Sequence, residues 1–194
     1  MAGSDRASTA RSAVKLTYDD FVHFPDDGKR HELIDGQHYV TPSPNIRHQR
    51  IVGTLYLLIA SWLESHRVGE VFLSPTDVVL SDIDIVVPDL LYLSNERAAQ
   101  VLTPLHVKGV PELVVEIASK RTRKRDQTIK RQLYERVGVS EYWTVDPDID
   151  VVRVHRRDEG GFGRPLELSR AAGDVLTTTL LPGLEMPLAR IFRD

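Results

Sequence analysis

The chain has 194 residues, 41% of them hydrophobic and 27% charged, with a formal net charge of −3. This is the composition of one ordinary globular domain, and the slight negative charge excludes a uniformly basic coat for nucleic acid, so any such binding must come from a local patch. There is no cysteine, which removes disulfides, iron–sulfur clusters, cysteine nucleophiles and thiolate zinc sites together.

Residues 1–15 are small and polar without periodicity and predict a disordered tail, followed by one domain over 16–194. No apolar run approaches the roughly 18 residues needed to cross a bilayer, and no N-terminal stretch resembles a signal peptide, so a cytoplasmic location is expected. Thr17 and Asp20 have capping-box spacing and predict a short helix through Phe21 and Phe24. Asp35-Gly36 tolerates the positive φ angles of a tight turn, so His31–Ile34 and Gln37–Val40 read as a hairpin. Ser43 as cap and Pro44 in the first turn open a long helix, in which Ile51, Leu55, Leu58 and Trp62 recur at helical spacing up to Gly69.

Strands are predicted over Glu70–Leu73, Asp77–Leu80 and Ile85–Leu93. The apolar run Glu112–Ala118 reads as a central strand covered on both faces. A second helix runs from about Thr122 to Val137, closed by Gly138, with Ile129, Leu133 and Val137 as its core-facing stripe. Strands at Glu141–Val145 and Val151–His155 follow, then two more within 164–181, and a short helix between Leu184 and Phe192. Helices alternate with some strands and hairpins join others, which predicts an α/β or α+β fold with a mixed sheet.

The glycine-rich nucleotide loops, the GxSxG elbow and the HExxH zinc motif are all missing, and the seven histidines show no paired spacing. What stands out is acid inside apolar strands. Asp89 lies in Val86-Val87-Pro88-Asp89-Leu90-Leu91 and Glu116 in Leu113-Val114-Val115-Glu116-Ile117. A carboxylate there is costly unless paired or bound to a cation. Two on adjacent strand ends would suit Mg²⁺ or Mn²⁺; ion pairs with Lys or Arg are the alternative. If the two repel, replacing either should stabilise the metal-free protein. Glu32 is a third candidate acid, or an exposed strand residue.

Asp126, Lys130 and Tyr134 are spaced by four and form one helix stripe at the core boundary, where a lysine could orient water or offset phosphorane charge; the alternative is a solvated Asp126–Lys130 pair. Five of the six residues Lys120-Arg121-Thr122-Arg123-Lys124-Arg125 are basic. Beside a carboxylate cluster they would hold backbone phosphate; otherwise they form a solubilising loop. His48, in Arg47-His48-Gln49, is a candidate phosphate contact or a surface histidine.

Taken in order, His31-Glu32-Leu33-Ile34-Asp35-Gly36, Ser43-Pro44 with Arg47-His48-Gln49, Pro88-Asp89-Leu90, Pro111–Ile117, Arg125-Asp126, Lys130, Tyr134, Gly138-Val139 and Glu141–Pro147 resemble the Uma-two family of restriction endonucleases, within the PD-(D/E)XK nuclease superfamily. The resemblance covers about residues 16–190. It implies a restriction-endonuclease-like core, a central mixed β-sheet flanked by helices, with a divalent-metal site at one end of the sheet. By position it makes Asp89 and Glu116 the metal-binding acids, with Glu32 as an acid from the N-terminal region. The superfamily often has a lysine two residues after the second acid; here Ala118 stands there, and Lys130 matches the helical lysine that takes its role. Ser119-Lys120-Arg121-Thr122 replaces the family's usual Ser-Pro-Ser-Thr.

The expectation is therefore a Mg²⁺- or Mn²⁺-dependent DNA endonuclease. Asp89, Glu116, Lys130 and Glu32 would be catalytic. Asp89, Glu116 and Glu32 would hold metal. His48, Tyr134, Lys120, Arg121, Arg123, Lys124 and Arg125 would face the substrate. Double-stranded DNA is the expected partner and a C2 homodimer the expected assembly, one site per strand. The alternative is a non-catalytic nucleic-acid-binding or regulatory module on a nuclease-like fold.

Overall fold

The computed structural model describes residues 14–41, 43–120 and 122–193, so most of the predicted N-terminal tail lies outside the described residues. Thr17 opens α1 (Tyr18–Phe21), its amide donating to Asp20 Oδ2 at 2.8 Å. β1 (Arg30–Ile34) and β2 (Gln37–Thr41) form the predicted hairpin, with Asp35 and Gly36 at φ 51° and 70°.

Helix α2 (Ile46–His66) starts later than predicted. Its cap is Asn45, whose Oδ1 accepts from the His48 amide at 2.9 Å. Ser43 and Pro44 lie ahead of the first turn, and the capping falls to Asn45, whose own backbone is extended. The helix closes on Arg67 in the left-handed conformation rather than at Gly69. Gly69 instead begins β3 (Gly69–Leu73), where a Cβ would stand 2.3 Å from the Leu93 carbonyl oxygen.

After β4 (Val78–Ser81) the predicted strand Ile85–Leu93 is in fact two: β5 (Asp84–Val86) and β6 (Leu90–Ser94). They belong to different sheets. Pro88 has no N–H for a ladder, and the chain passes from one sheet to the other at Val87-Pro88-Asp89. Next come α3 (Asn95–Val101), β7 (Val107–Lys108) and β8 (Leu113–Ile117). The second helix divides into α4 (Arg123–Arg125), a π-turn over Asp126–Lys130 and α5 (Arg131–Val137). β9 (Glu141–Asp146), β10 (Val151–Asp158), β11 (Gly161–Phe162), β12 (Leu166–Ser169), β13 (Val175–Leu176), β14 (Met186–Pro187) and α6 (Leu188–Ile191) complete the chain.

Among the described residues one sheet runs β2-β1-β5-β4-β7 and the main sheet β11-β10-β9-β8-β6-β3, with β12 also paired to β10. The main sheet is mixed: β8 is antiparallel to β6 and parallel to β9. Leu113, Val115 and Ile117 of β8 pack with Ile51, Leu55 and Ile59 of α2, while Val114 on the opposite face joins Leu133 and Tyr134 of α5. Strand alternation therefore puts Glu116 on the Val114 face, toward the π-turn.

His155 lies against the rings of Tyr142 and Phe162, each 5.8 Å away between centroids. Burial and the Arg131 charge lower its pKa to about 4. Between that value and the ordinary one the folded chain binds fewer protons than the unfolded chain, so stability rises with pH across that window. His155→Gln is expected to flatten the rise by about 2 kcal/mol after allowance for solvent screening, measured by urea unfolding at pH 4.5 and 7 with wild type as reference.

Candidate active site

The hairpin, the break at Pro88, the end of β8 and the π-turn converge on a cavity of about 420 Å³, lined among others by Arg30, His48, Asp89, Glu116, Asp126 and Lys130. At its centre Lys130 is 2% exposed, and its Nζ lies 2.7 Å from Glu32 Oε1 and 2.8 Å from Glu116 Oε1. The Tyr134 hydroxyl donates to the same Glu116 oxygen at 2.8 Å. Glu32 is satisfied on both sides. Its Oε1 also accepts from the Val87 amide, and its Oε2 accepts from Thr41 Oγ1 at 3.2 Å and stands 3.3 Å from Arg125 Nη2. Glu32 lies behind Lys130 and is absent from the residues lining the cavity.

Asp89 is 3% exposed. Its Oδ1 accepts from Arg30 Nη1 at 2.6 Å; its Oδ2 meets His48 Nε2 at 3.1 Å and accepts from the Ile117 amide at 2.9 Å. Burial alone would raise this carboxyl, but His48 and Arg30 outweigh it and hold it at about 2. Glu116 goes the other way. Burial, opposed by Lys130 and reinforced by Asp89, Asp126 and Glu32, lifts it to about 8. Two carboxylates compete for one ammonium; Glu32 has Arg125 as a further cation and stays ionised, so Glu116 holds the proton. Asp126 is buried with its Oδ1 unpartnered and is likewise raised, mainly by burial.

The structure corrects one end of the predicted core stripe of the second helix: Leu133 is buried and Val137 packs against the core as expected, but Ile129 does not. Ile129 is 37% exposed, while Asp126, Lys130 and Tyr134 are at most 2% exposed. The π-turn fits one extra residue into a turn and rotates the charged stripe inward. The basic run does not form one continuous rim. Arg121 lies outside the described residues. Arg123 is bound to Asp146 and Asp148, and Arg125 reaches inward to Glu32 and Thr41. Lys120 lines the cavity and is exposed; Lys124 is exposed on a neighbouring cavity. Arg30 and Asp126 were not among the predicted site residues. Arg30 precedes Glu32 by two, so it shares that strand face, and Asp126 is one helical step from Lys130.

Among the described residues no three His, Asp or Glu side chains are grouped so as to hold a metal ion by themselves. Mg²⁺ keeps several waters and is usually held by one or two carboxylates plus substrate phosphate. Glu116 Oε2, which makes no hydrogen bond among the described residues, and the unpartnered Asp126 Oδ1 are hard oxygens beside Asp89. This donor set fits such an ion.

A family model described as "Putative restriction endonuclease" matches residues 18–189. The chain belongs to that family, Uma2. Among solved structures, a putative nuclease belonging to DUF820 from Anabaena variabilis ATCC 29413 is similar at 20% identity and a TM-score of 0.77, over 91% of this chain and 97% of that one. At that identity the likeness shows the fold alone, and it agrees with the mixed sheet flanked by helices that the sequence predicted. Among curated proteins none matches. Among the described residues no helix is long and apolar enough to cross a membrane.

Because the Glu116 pKa is raised, the folded metal-free protein binds more protons than the unfolded chain between the ordinary glutamate range and about pH 8, and its stability falls as pH rises through that window. Glu116→Gln is therefore expected to gain stability over wild type from pH 5 to pH 8 by more than about 1 kcal/mol. Denaturant unfolding in EDTA at the two pH values measures it. Asp89 differs, since its ion pairs already offset its burial. Asp89→Asn leaves Arg30 short of a partner and is expected to destabilise, contrary to the gain that simple repulsion between the two acids predicts.

Proposed function

We propose that this protein is a divalent-metal-dependent endonuclease that hydrolyses phosphodiester bonds of DNA. The observation that carries the reading is the convergence of Asp89, Glu116 and Lys130 from three separate segments into one cavity, where Glu116 Oε2 and Asp126 Oδ1 have no hydrogen-bond partner among the described residues. Asp89 and Glu116 would hold Mg²⁺ or Mn²⁺. When bound, such an ion polarises a phosphoryl oxygen and makes its bound water more acidic.

The chain's own residues prepare the rest. The two carboxylates beside Lys130 hold its ammonium well above its ordinary pKa, so it keeps its proton. It therefore acts as a fixed positive charge, able to hold an attacking water or a non-bridging phosphate oxygen, and not as the base. Glu32 positions Lys130, Tyr134 positions Glu116, and His48 positions Asp89. Arg30 neutralises Asp89 in the metal-free protein. Once Asp89 turns to a cation, Arg30 is placed at the cavity wall to take a phosphate oxygen.

Supercoiled plasmid incubated with Mn²⁺ or Mg²⁺ tests this. Wild type is expected to nick it, EDTA to abolish nicking, and Lys130→Met to slow it by about 100-fold or more. Nicking in EDTA, or full activity of Lys130→Met, would contradict the proposal. One observation favours the non-catalytic reading: both Asp89 oxygens are already engaged by Arg30, His48 and the Ile117 amide. On that reading the plasmid is bound and stays intact under all these conditions.

A further inference from the structure

Beyond Arg125 the active-site cavity adjoins a second one of about 690 Å³, and the two share Ser43, Thr122 and Arg125 in their walls. Their charges differ: the first lining mixes Asp89, Glu116, Asp126 and Asp148 with five Lys and Arg side chains. The second lining holds Lys29, Lys124 and Arg125 and, among the described residues, no acid, in a chain whose net charge is −3. Beside the hydroxyls of Ser43, Thr122 and Thr128, its walls include the half-buried Tyr39 ring, with the Arg125 guanidinium 5.5 Å from its centroid, and Val40 and Ile129, which are 43% and 37% exposed. Lys29 is held by Asp27 at 2.7 Å and Arg125 by Glu32, whereas Lys124 makes no ion pair among the described residues. An exposed lysine without a counter-charge thus stands over an aromatic and aliphatic floor beside the proposed scissile site.

We infer that this second cavity receives an unpaired nucleotide of the substrate strand, so that the substrate is single-stranded or locally unpaired next to the bond to be cut. The inference rests on the nuclease reading above and deepens it. Every base has an apolar face that stacks on aromatic or aliphatic groups, and its phosphate seeks an unpaired cation. A base inside a duplex offers neither face, because it is stacked above and below. Arg125, shared by both walls, lets one strand run from the mixed-charge cavity into the acid-free one. The inference departs from the double-stranded substrate expected from the sequence.

Fluorescence anisotropy tests it on the full chain with Ca²⁺ present, using a labelled single-stranded dT oligonucleotide and a blunt duplex of equal length. Lys124→Glu and Ile129→Glu are the variants, both at exposed positions that the catalytic proposal does not use. Wild type is expected to bind the single strand more tightly than the duplex. Each variant is expected to weaken single-strand binding by about tenfold, to leave the duplex affinity unchanged and to keep the thermal midpoint of wild type. Equal affinity for the two DNA forms would overturn the inference, as would single-strand affinity indifferent to both substitutions; with plasmid still nicked, the nuclease reading would stand alone. Failure of wild type to bind either DNA, together with intact plasmid, would overturn both.

Discussion

A single buried ammonium joins the parts of this site. Lys130 lies between Glu32 of the hairpin and Glu116 of β8, at 2.7 and 2.8 Å, and reaches them from the π-turn. Buried charge is tolerated only when paired, so removing Lys130 would leave Glu116 with no ion-pair partner among the described residues. The pairing is deliberately unequal in charge: one cation serves two acids, and only Glu32 has a second cation in reach. Glu116 is left as the carboxylate whose ionisation the fold opposes.

Asp89 supplies the opposite case. The chain leaves the small sheet at Val86 and enters the main sheet at Leu90, and Asp89 sits in the crossing. Its Oδ2 accepts from the Ile117 amide, directly after Glu116, so the two acids are tied by backbone as well as by location. Arg30 neutralises it, and His48 and the Ile117 amide complete its hydrogen bonds. The two acids thus share one cavity but differ in poise: Asp89 is ionised and paired, Glu116 protonated and open on one oxygen. An arriving divalent cation would find one ready anion and displace one proton.

Much of the fold was legible because local chemistry and tertiary packing agree. Asp35-Gly36 dictates its turn, the α2 stripe dictates its buried face, and the apolar run around Glu116 dictates a central strand. The acids Asp89 and Glu116 were legible because carboxylates are out of place in such strands. The misread parts each had a physical cause. Ile85–Leu93 looked like one strand because its apolar run is nearly continuous, while Pro88 divides it between two sheets. In the second helix Leu133 and Val137 read correctly, but Ile129 was misplaced because 3.6-residue spacing does not foresee a π-turn over Asp126–Lys130. The basic run read as one patch because spacing does not reveal that Arg123 and Arg125 turn inward to Asp146 and Glu32. Arg30 gave no signal by type alone; only its strand register with Glu32 pointed to it.

The most direct measurement is isothermal titration of Mn²⁺ into wild type and Glu116→Ala near pH 7.5. The proposed function predicts binding to wild type with release of a proton, seen as a heat that changes with the ionisation enthalpy of the buffer, and loss of that binding in Glu116→Ala. Equal binding by the two proteins, or a heat independent of buffer, would contradict the assignment of Glu116 as the protonated acid that receives the metal.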